Sequence, residues 1–341
     1  MRKLTSERQG ISRAHVWIIC SAMTMLCCSS WVLACQVPVF RYAFERWVAD
    51  KYEIIVLHDG PMNEHDQANL EKLLTAVDKS TNAVVRDIEI NQSKDPEHAA
   101  LWANRDIAGA ADGSALMAIL YPQGAQNIPD RLLDLVPLRE DSVAQLVDSP
   151  VRQEVVKRLA QGQSAVWVFV PSSQTEKDPE VLQFLNEQLL RCQNNLKLPV
   201  VEDFDAESAA AQEQIRRLRI EFSTVVLNRE DKAERFLLKM LLGSESDLES
   251  TSEPLAFPVF GRGRVLYALV GKGINGDMIR DASQFMVGPC SCQVKAQNPG
   301  FDLLTRLDWE LAVGDVRISD PLPDTASEPV LLRIPRGNAE R

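Results

Sequence analysis

Outside the apolar N-terminal segment, only two cysteines lie close together in the sequence, Cys290 and Cys292. A disulfide between residues two apart closes a small, strained ring, and strain raises its reduction potential. The pair is therefore a candidate for thiol–disulfide exchange. It follows a predicted helix end at Gly288-Pro289, in a loop, where functional residues are common. The alternative is a structural role for the pair, including a bridge from either cysteine to Cys35.

Two histidines, His58 and His65, lie with three carboxylates around the end of the first predicted strand. In open α/β sheets this edge holds ligands, and imidazole and carboxylate groups are zinc ligands. The spacing matches no metal-binding motif, and acidic residues at a helix N-terminus also interact favourably with the helix dipole. We therefore predict no metal site; His58 and His65 are the residues that a metal would use.

Glycine-rich turns in the second half do not complete a nucleotide-binding pattern. Gly261-Arg262-Gly263 and Gly271-Lys272-Gly273 lack the spacing of dinucleotide-binding and phosphate-binding loops. No serine lies in a nucleophile-elbow sequence. We expect turns at both places and no cofactor.

The composition is that of a globular protein with a sizeable core, since 45% of the 341 residues are hydrophobic and 25% are charged. It excludes a disordered, collagen-like or multi-span membrane protein. Thirty-seven basic and 48 acidic residues give a net charge of −11, and we identify no basic patch in the sequence. No nucleic-acid partner is therefore expected.

The N-terminus has the pattern of an export segment. Four basic residues and one acid occupy the first fifteen positions, and residues 16–34 contain no charge. We predict that residues 1–34 are a signal peptide or a membrane anchor. In either case the rest of the chain lies outside the cytoplasmic membrane, periplasmic or tethered to the membrane in the cell envelope.

Cys35 directly follows the apolar segment and is a candidate for lipidation. The sequence Val32-Leu33-Ala34-Cys35 loosely resembles a lipobox, and it also suits an ordinary signal peptidase. An uncleaved anchor is the third alternative. Without residues 1–34 the chain has 33 basic and 47 acidic residues, a net charge of −14. Because anionic headgroups would repel this charge, we expect membrane attachment through the N-terminal segment. The expected partner is an unknown protein of the cell envelope.

Four cysteines follow the apolar segment, and an even number in an oxidising compartment permits disulfides. Cys192 lies on the apolar stripe of a predicted helix, which favours a buried free thiol over a bridge. The pairing of the others is left open by the sequence.

Residues 35–51 are rich in aromatic side chains and predict a short amphipathic helix. Phe40, Phe44 and Trp47 fall on one face of this helix, together with Val48. We expect this face to pack on the following domain as core; the alternative is that it lies in the membrane interface.

After residue 51 the sequence alternates twice between strand and helix patterns. In the first half we predict strands at 53–58, 83–90 and 115–121 and helices at 64–79, 96–103 and 142–161. In the second half we predict strands at 164–170 and 220–227, a hairpin at 255–270, and helices at 179–196, 230–242 and 277–287. Asp178 is the predicted N-cap of the helix at 179–196.

The order of elements in the second half is that of the thioredoxin fold, and the first half follows it with a weaker hairpin. The sequence therefore predicts two tandem thioredoxin-like three-layer α/β domains, residues 52–162 and 163–300, between the N-terminal export segment and a C-terminal extension, residues 301–341. A single doubly wound sheet is the alternative. Pro258 lies where such domains place a cis-proline before the hairpin, whereas the first half has no proline at Ala115.

Three stretches, CQVPVFRYAFERW, FPVFGRGRVLYALVGKGI and GPCSCQVKAQNPG, resemble a family of exported bacterial proteins with no assigned activity. The resemblance extends over the chain after the export segment. It implies export and an α/β fold, and it identifies no catalytic residue.

Redox enzymes of the thioredoxin class carry their cysteine pair at the start of the first helix, where the helix dipole lowers the thiol pKa. The corresponding positions here are His58-Asp59-Gly60-Pro61 and Pro171-Ser172-Ser173-Gln174, without cysteine. We therefore expect a non-catalytic binding or assembly module of the cell envelope. Thiol–disulfide exchange through Cys290 and Cys292 is the alternative.

Overall fold

The structure is a computed structural model that describes residues 37–110, 114–125, 128–172, 177–199, 209–290 and 294–319. The chain divides into two units, Met1–Ala34 and Cys35–Arg341, and all of the described residues belong to the second. The expected α/β class is confirmed, because the described residues form two mixed β-sheets with helices packed against them. None of the described helices is long and apolar enough to cross a membrane.

The first helix, α1, spans Val39–Arg46. Its aromatic side chains Phe40 and Phe44 are buried, as is Trp47 directly after it, so the aromatic face packs as core, as expected. Val48, expected on the same face, is 63% exposed. The helix ends before it, because Trp47 has extended backbone angles (φ −84°, ψ 102°) that turn Val48 away from the core.

The first sheet has four strands in the order β2-β1-β3-β4, which span Tyr52–His58 (β1), Ala83–Glu89 (β2), Leu116–Leu120 (β3) and Leu132–Pro137 (β4). β2 is parallel to β1, whereas β3 is antiparallel to β1 and β4 is antiparallel to β3. The helices of this half are α2 (Glu64–Ala76), α3 (Pro96–Ala103), α4 (Glu140–Val147) and α5 (Pro150–Ala160).

The second sheet repeats this pattern and extends it, in the order β10-β8-β7-β5-β6, with β9 also paired to β7. Its strands are β5 (Ala165–Val170), β6 (Phe222–Val226), β7 (Leu255–Phe260), β8 (Arg264–Val265), β9 (Leu269–Val270) and β10 (Phe301–Asp302). β6 is parallel to β5, and β7 is antiparallel to β5 and forms the expected hairpin with β8 and β9. The helices are α6 (Asp178–Asn195), α7 (Ala209–Arg217), α8 (Arg235–Leu242), α9 (Gly276–Val287) and α10 (Trp309–Val313).

Both central strands are buried on their two faces. Ile54 of β1 and Val166 of β5 belong to one core that both sheets share, with side chains from α2, α4, α5 and α8. Their neighbours face the other way: Ile55 packs in a smaller core with α3, and Trp167 packs with α1, α6 and α9. This two-sided burial explains why both strands are continuous apolar runs in the sequence.

The single helix expected at 142–161 is in fact two helices, α4 and α5. Pro150 is the first residue of α5, and Asp148 and Ser149 before it are extended, with φ of −156° and −155°. The break follows from proline chemistry, because Pro150 has no N–H to continue α4 and its ring disfavours a helical residue before it.

Two further local expectations differ from the structure. Asp178 is not the N-cap of α6 but its first residue; the carboxylate instead accepts the backbone N–H of Ser172 at 3.0 Å. Pro258 lies inside β7, opposite Trp167 of β5, and the described residues contain no cis peptide bond. Strand β4 was not placed by the sequence patterns.

Candidate functional site

Cys290, one member of the thiol pair, lies in the apolar core and not in an exposed loop. Its side chain is 1% exposed and belongs to the core that contains α1 and α9. Its backbone N–H donates to the carbonyl of Val37 at 3.0 Å, and Pro289 pairs with Pro38 as an antiparallel bridge. Cys292 and Cys35 lie outside the described residues. Burial of the Cys290 sulfur restricts attack on it by another thiol or disulfide.

Cys192 is a buried free thiol on α6, as expected from its position on the apolar stripe. Desolvation by burial raises its pKa. Since the thiolate is the reactive form of cysteine, this environment favours an inert, structural thiol.

The two histidines are held at different places. The Nδ1 atom of His58 lies 2.6 Å from the carbonyl oxygen of Gly60, and its Nε2 atom lies 3.2 Å from a carboxylate oxygen of Asp87 on β2. His65 is exposed and lines a separate cleft between α2 and α4, with Arg139. Across the described ranges, no group of three or more histidine, cysteine, aspartate or glutamate side chains is arranged to hold a metal ion.

The turn at Gly261-Arg262-Gly263 joins β7 to β8, as expected, and it also holds α1. The Arg262 guanidinium donates to the carbonyls of Phe44 and Glu45 at 2.8 and 3.0 Å, at the C-terminal end of that helix. Gly261 has φ +60°, and a Cβ there would lie 2.7 Å from the Cβ of Ala43. Glycine is therefore needed at this position for the close approach of α1.

A cleft of about 580 Å³ lies between α1, the end of α5 and α7. Four arginines line it, namely Arg41, Arg216, Arg217 and Arg219. The other lining residues that the structure describes are apolar or uncharged, and they include Phe40, Phe44, Leu159, Leu218, Gln161 and Gln214. The cleft is therefore basic in a chain of net charge −11.

Arg216 and Arg217 share one carboxylate. Nη2 of Arg216 lies 2.7 Å, and Nε of Arg217 lies 2.9 Å, from the two oxygens of Glu213 one turn earlier on α7. Hydrogen bonds from Arg217 and then Arg216 lower the pKa of Glu213, so it is ionised at neutral pH. Two guanidinium groups are thus paired with a single carboxylate on this side of the cleft.

Arg41 forms the inner end of the cleft. Its Nε atom lies 2.7 Å from Glu45 one turn later on α1, and its Nη2 atom donates to the side-chain oxygen of Gln214. Glu45 is buried, and it also accepts the backbone N–H groups of Ile318 and Ser319 at 3.0 and 2.8 Å. These contacts fix the guanidinium of Arg41 in place.

The sequence patterns did not reveal this cleft. The run Arg216-Arg217-Leu218-Arg219 is basic, but Glu213 and Glu221 flank it and obscure the local charge. Arg41 meets Gln214 across 173 positions of sequence, so only the fold brings α1 to α7. The basic run was the one local signal for the site.

No protein-family model matches the chain, and no curated protein matches it.

Proposed function

We propose that the chain is an exported, non-catalytic binding or assembly module of the cell envelope, built from two thioredoxin-like domains. Residues 1–34 would direct its export, and attachment to the membrane would use that segment or a lipidated Cys35. Its partner would be an envelope protein, with neither nucleic acid nor cofactor involved.

The repeated topology supports the thioredoxin-like part of the proposal. Each half has a central first strand between a parallel second strand and an antiparallel third, with an antiparallel fourth outside: β2-β1-β3-β4 and β6-β5-β7-β8. In each half two helices pack against each other on one face of the sheet, α2 with α4 and α6 with α9. A helix between them in the sequence, α3 in the first half and α8 in the second, packs on the other face.

The residues at the starts of α2 and α6 support the proposal that the protein is not a redox enzyme. A redox domain of this fold needs a thiolate there. Instead, α2 begins with an amide cap, in which Asn63 Oδ1 accepts the N–H of Asp66 at 2.8 Å, and α6 begins with the Asp178–Ser172 contact. Residues 58–66 and 171–178 contain no cysteine, so neither helix dipole activates a thiol.

Thiol–disulfide exchange through Cys290 and Cys292 is the alternative function. The burial of Cys290 opposes it, because exchange requires a sulfur that another sulfur can reach. Binding is therefore the better-supported function.

The non-catalytic proposal predicts that the full-length protein does not turn over a model disulfide. The assay follows release of a coloured thiol with glutathione as the reductant, and native protein, Cys290→Ser and Cys292→Ser are expected to give the same rate as glutathione alone. Cys192→Ser is the matched control, because it removes a buried thiol from another element. Repeated turnover that disappears in both Cys290→Ser and Cys292→Ser would establish the exchange alternative.

The export part of the proposal is tested by measuring the intact mass of the protein isolated from its own membrane fraction. Cleavage before Cys35 removes residues 1–34, and lipidation adds a diacylglycerol unit at that cysteine. A full-length mass in the membrane fraction would indicate the uncleaved anchor. Recovery of full-length protein only from the cytosol would contradict export.

A further inference from the structure

We propose that the arginine-lined cleft binds an acidic segment of a partner protein. In this segment acidic residues are adjacent to apolar residues. This inference rests on the proposed function as a binding module.

The charges that line the cleft are complementary to those of an acidic ligand. Four guanidiniums line the cleft, whereas three carboxylates pair with them, namely Glu45, Glu213 and Glu221. The pairs therefore leave one positive charge uncompensated, in a chain of net charge −11. A ligand carboxylate would be attracted to this place.

The outer arginines are available to a ligand. Arg216, Arg217 and Arg219 have side chains that are 72%, 76% and 64% exposed. Each contacts its glutamate through one nitrogen, and a guanidinium has five N–H donors in a planar fork. Exposed ion pairs are weak, so ligand carboxylates can add to these contacts or replace Glu213 and Glu221 at little cost.

The inner arginine is already ordered for binding. The side chain of Arg41 is 15% exposed and is held by Glu45 and Gln214, and Gln214 in turn donates to the carbonyl of Val316 at 3.1 Å. A group that is fixed before the ligand arrives loses little conformational entropy on binding. The cleft thus combines one fixed guanidinium with three adaptable ones.

The rest of the lining favours a protein ligand over a polyphosphate or a nucleic acid. The apolar part of the lining comes from half-buried Leu218 and from the small exposed parts, at most 7%, of Phe40, Phe44, Leu159 and Val313. Apolar side chains of a peptide gain from contact with this surface, whereas phosphates do not. Long polyanions would also meet the net negative charge of the rest of the molecule.

The test measures binding of a labelled peptide of alternating glutamate and leucine to the full-length protein by fluorescence anisotropy. Arg216→Gln/Arg217→Gln is expected to weaken binding about tenfold or more, because two charge-assisted contacts are lost. Binding of the native protein is expected to weaken as salt is added. Both substituted side chains are exposed, so the thermal midpoint of unfolding should not change.

Arg105→Gln/Arg280→Gln is the matched control. It removes the same charge from two arginines outside the cleft, which pair with Asp106 and with Asp277 and Asp281. The control is expected to bind the peptide as the native protein does, and a peptide of alternating glutamine and leucine is expected not to bind.

Three results would overturn the inference: no binding by the native protein, equal weakening in the control, or tighter binding of inorganic polyphosphate or single-stranded RNA to the same arginines. None of them would revive disulfide exchange or contradict export, because the proposed function is tested by turnover and by intact mass.

Discussion

Gly300→Ala is expected to lower the free energy of unfolding by about 4 kcal/mol, in the extreme range for a single substitution. Gly300 has φ +103°, and a Cβ there would lie 2.0 Å from the carbonyl oxygen of Val265 and 3.2 Å from the Cα of Leu266. Because these are backbone atoms of β8 and the residue after it, no side chain can move aside. Denaturant unfolding of the full-length protein measures the loss.

Gly162→Ala is the matched control. Gly162 has nearly the same backbone angle, φ +97°, but no atom lies within 4 Å of an added Cβ. It therefore carries only the cost of a left-handed non-glycine residue, about 1–2 kcal/mol. Equal losses in the two variants would show that the approach to Val265 does not matter.

The expected loss at Gly300 is large because this residue leads into a buried ionic network. Asp302, two residues later, lies 3.2 Å from Arg264 Nη1 and accepts the backbone N–H of Asp50 at 2.6 Å. Its backbone carbonyl accepts the hydroxyl of Tyr52 at 2.9 Å. Buried charges depend on close geometry, so a shift of this loop would weaken the ion pair and the start of β1 together.

The sequence patterns that predicted the fold correctly are those with a local cause. β1 and β5 are apolar runs because both of their faces are buried, and the hairpin of β7 with β8 follows from its glycine turn. α9 ends where Gly288-Pro289 cannot continue it. In each case one segment of sequence carries the whole signal.

The features that the sequence patterns missed depend on contacts between distant segments. The cleft needs Arg41 beside Gln214, and the burial of Cys290 needs Val37 beside it. The position of Cys290 in a loop of the sequence suggests an accessible thiol. In the structure this loop pairs with the segment before α1, and the thiol is buried. Tertiary packing therefore decided the chemistry at both places.

Arg152→Met is expected to lower the free energy of unfolding by about 3–5 kcal/mol, the range for removing one partner from a buried charge network. The Arg152 guanidinium donates to Ser149 Oγ at 2.9 Å and to the carbonyl of Leu146, at the end of α4, at 2.8 Å. Burial lowers its pKa to about 10, so it is still charged at neutral pH. Methionine fills similar space but leaves the carbonyls without a donor.

Glu234 is the acidic member of this network. It is buried, and it accepts the hydroxyl of Ser149 at 2.6 Å and the backbone N–H of Val151, at the start of α5, at 2.7 Å. Because Ser149 connects the two charges, Glu234→Gln and Arg152→Met should be coupled. The double variant is expected to lose at least about 1 kcal/mol less stability than the two single losses together.

Arg158→Met, on the same helix, is the control for arginine removal. Its side chain is 25% exposed, pairs with Glu154, and donates to Ser223 Oγ at 3.0 Å and to the carbonyl of Thr224 at 2.9 Å. The expected loss is therefore about 1–2 kcal/mol, below that of Arg152→Met. Denaturant unfolding compares the three single variants and the double variant. A loss in Arg152→Met no greater than in Arg158→Met would show that the buried network does not hold the break between α4 and α5.

The position of Arg152 also predicts how the protein unfolds. Its guanidinium reaches the carbonyl of Leu304, which follows β10, while Glu234 lies between β6 and α8. The network therefore joins the end of α4 to two segments of the second half. Both sheets share the core around it. Loss of the network should therefore weaken the coupling between the two halves. Arg152→Met is expected to unfold in two steps, or with a smaller dependence of the free energy of unfolding on denaturant concentration. Arg158→Met is expected to keep the native dependence.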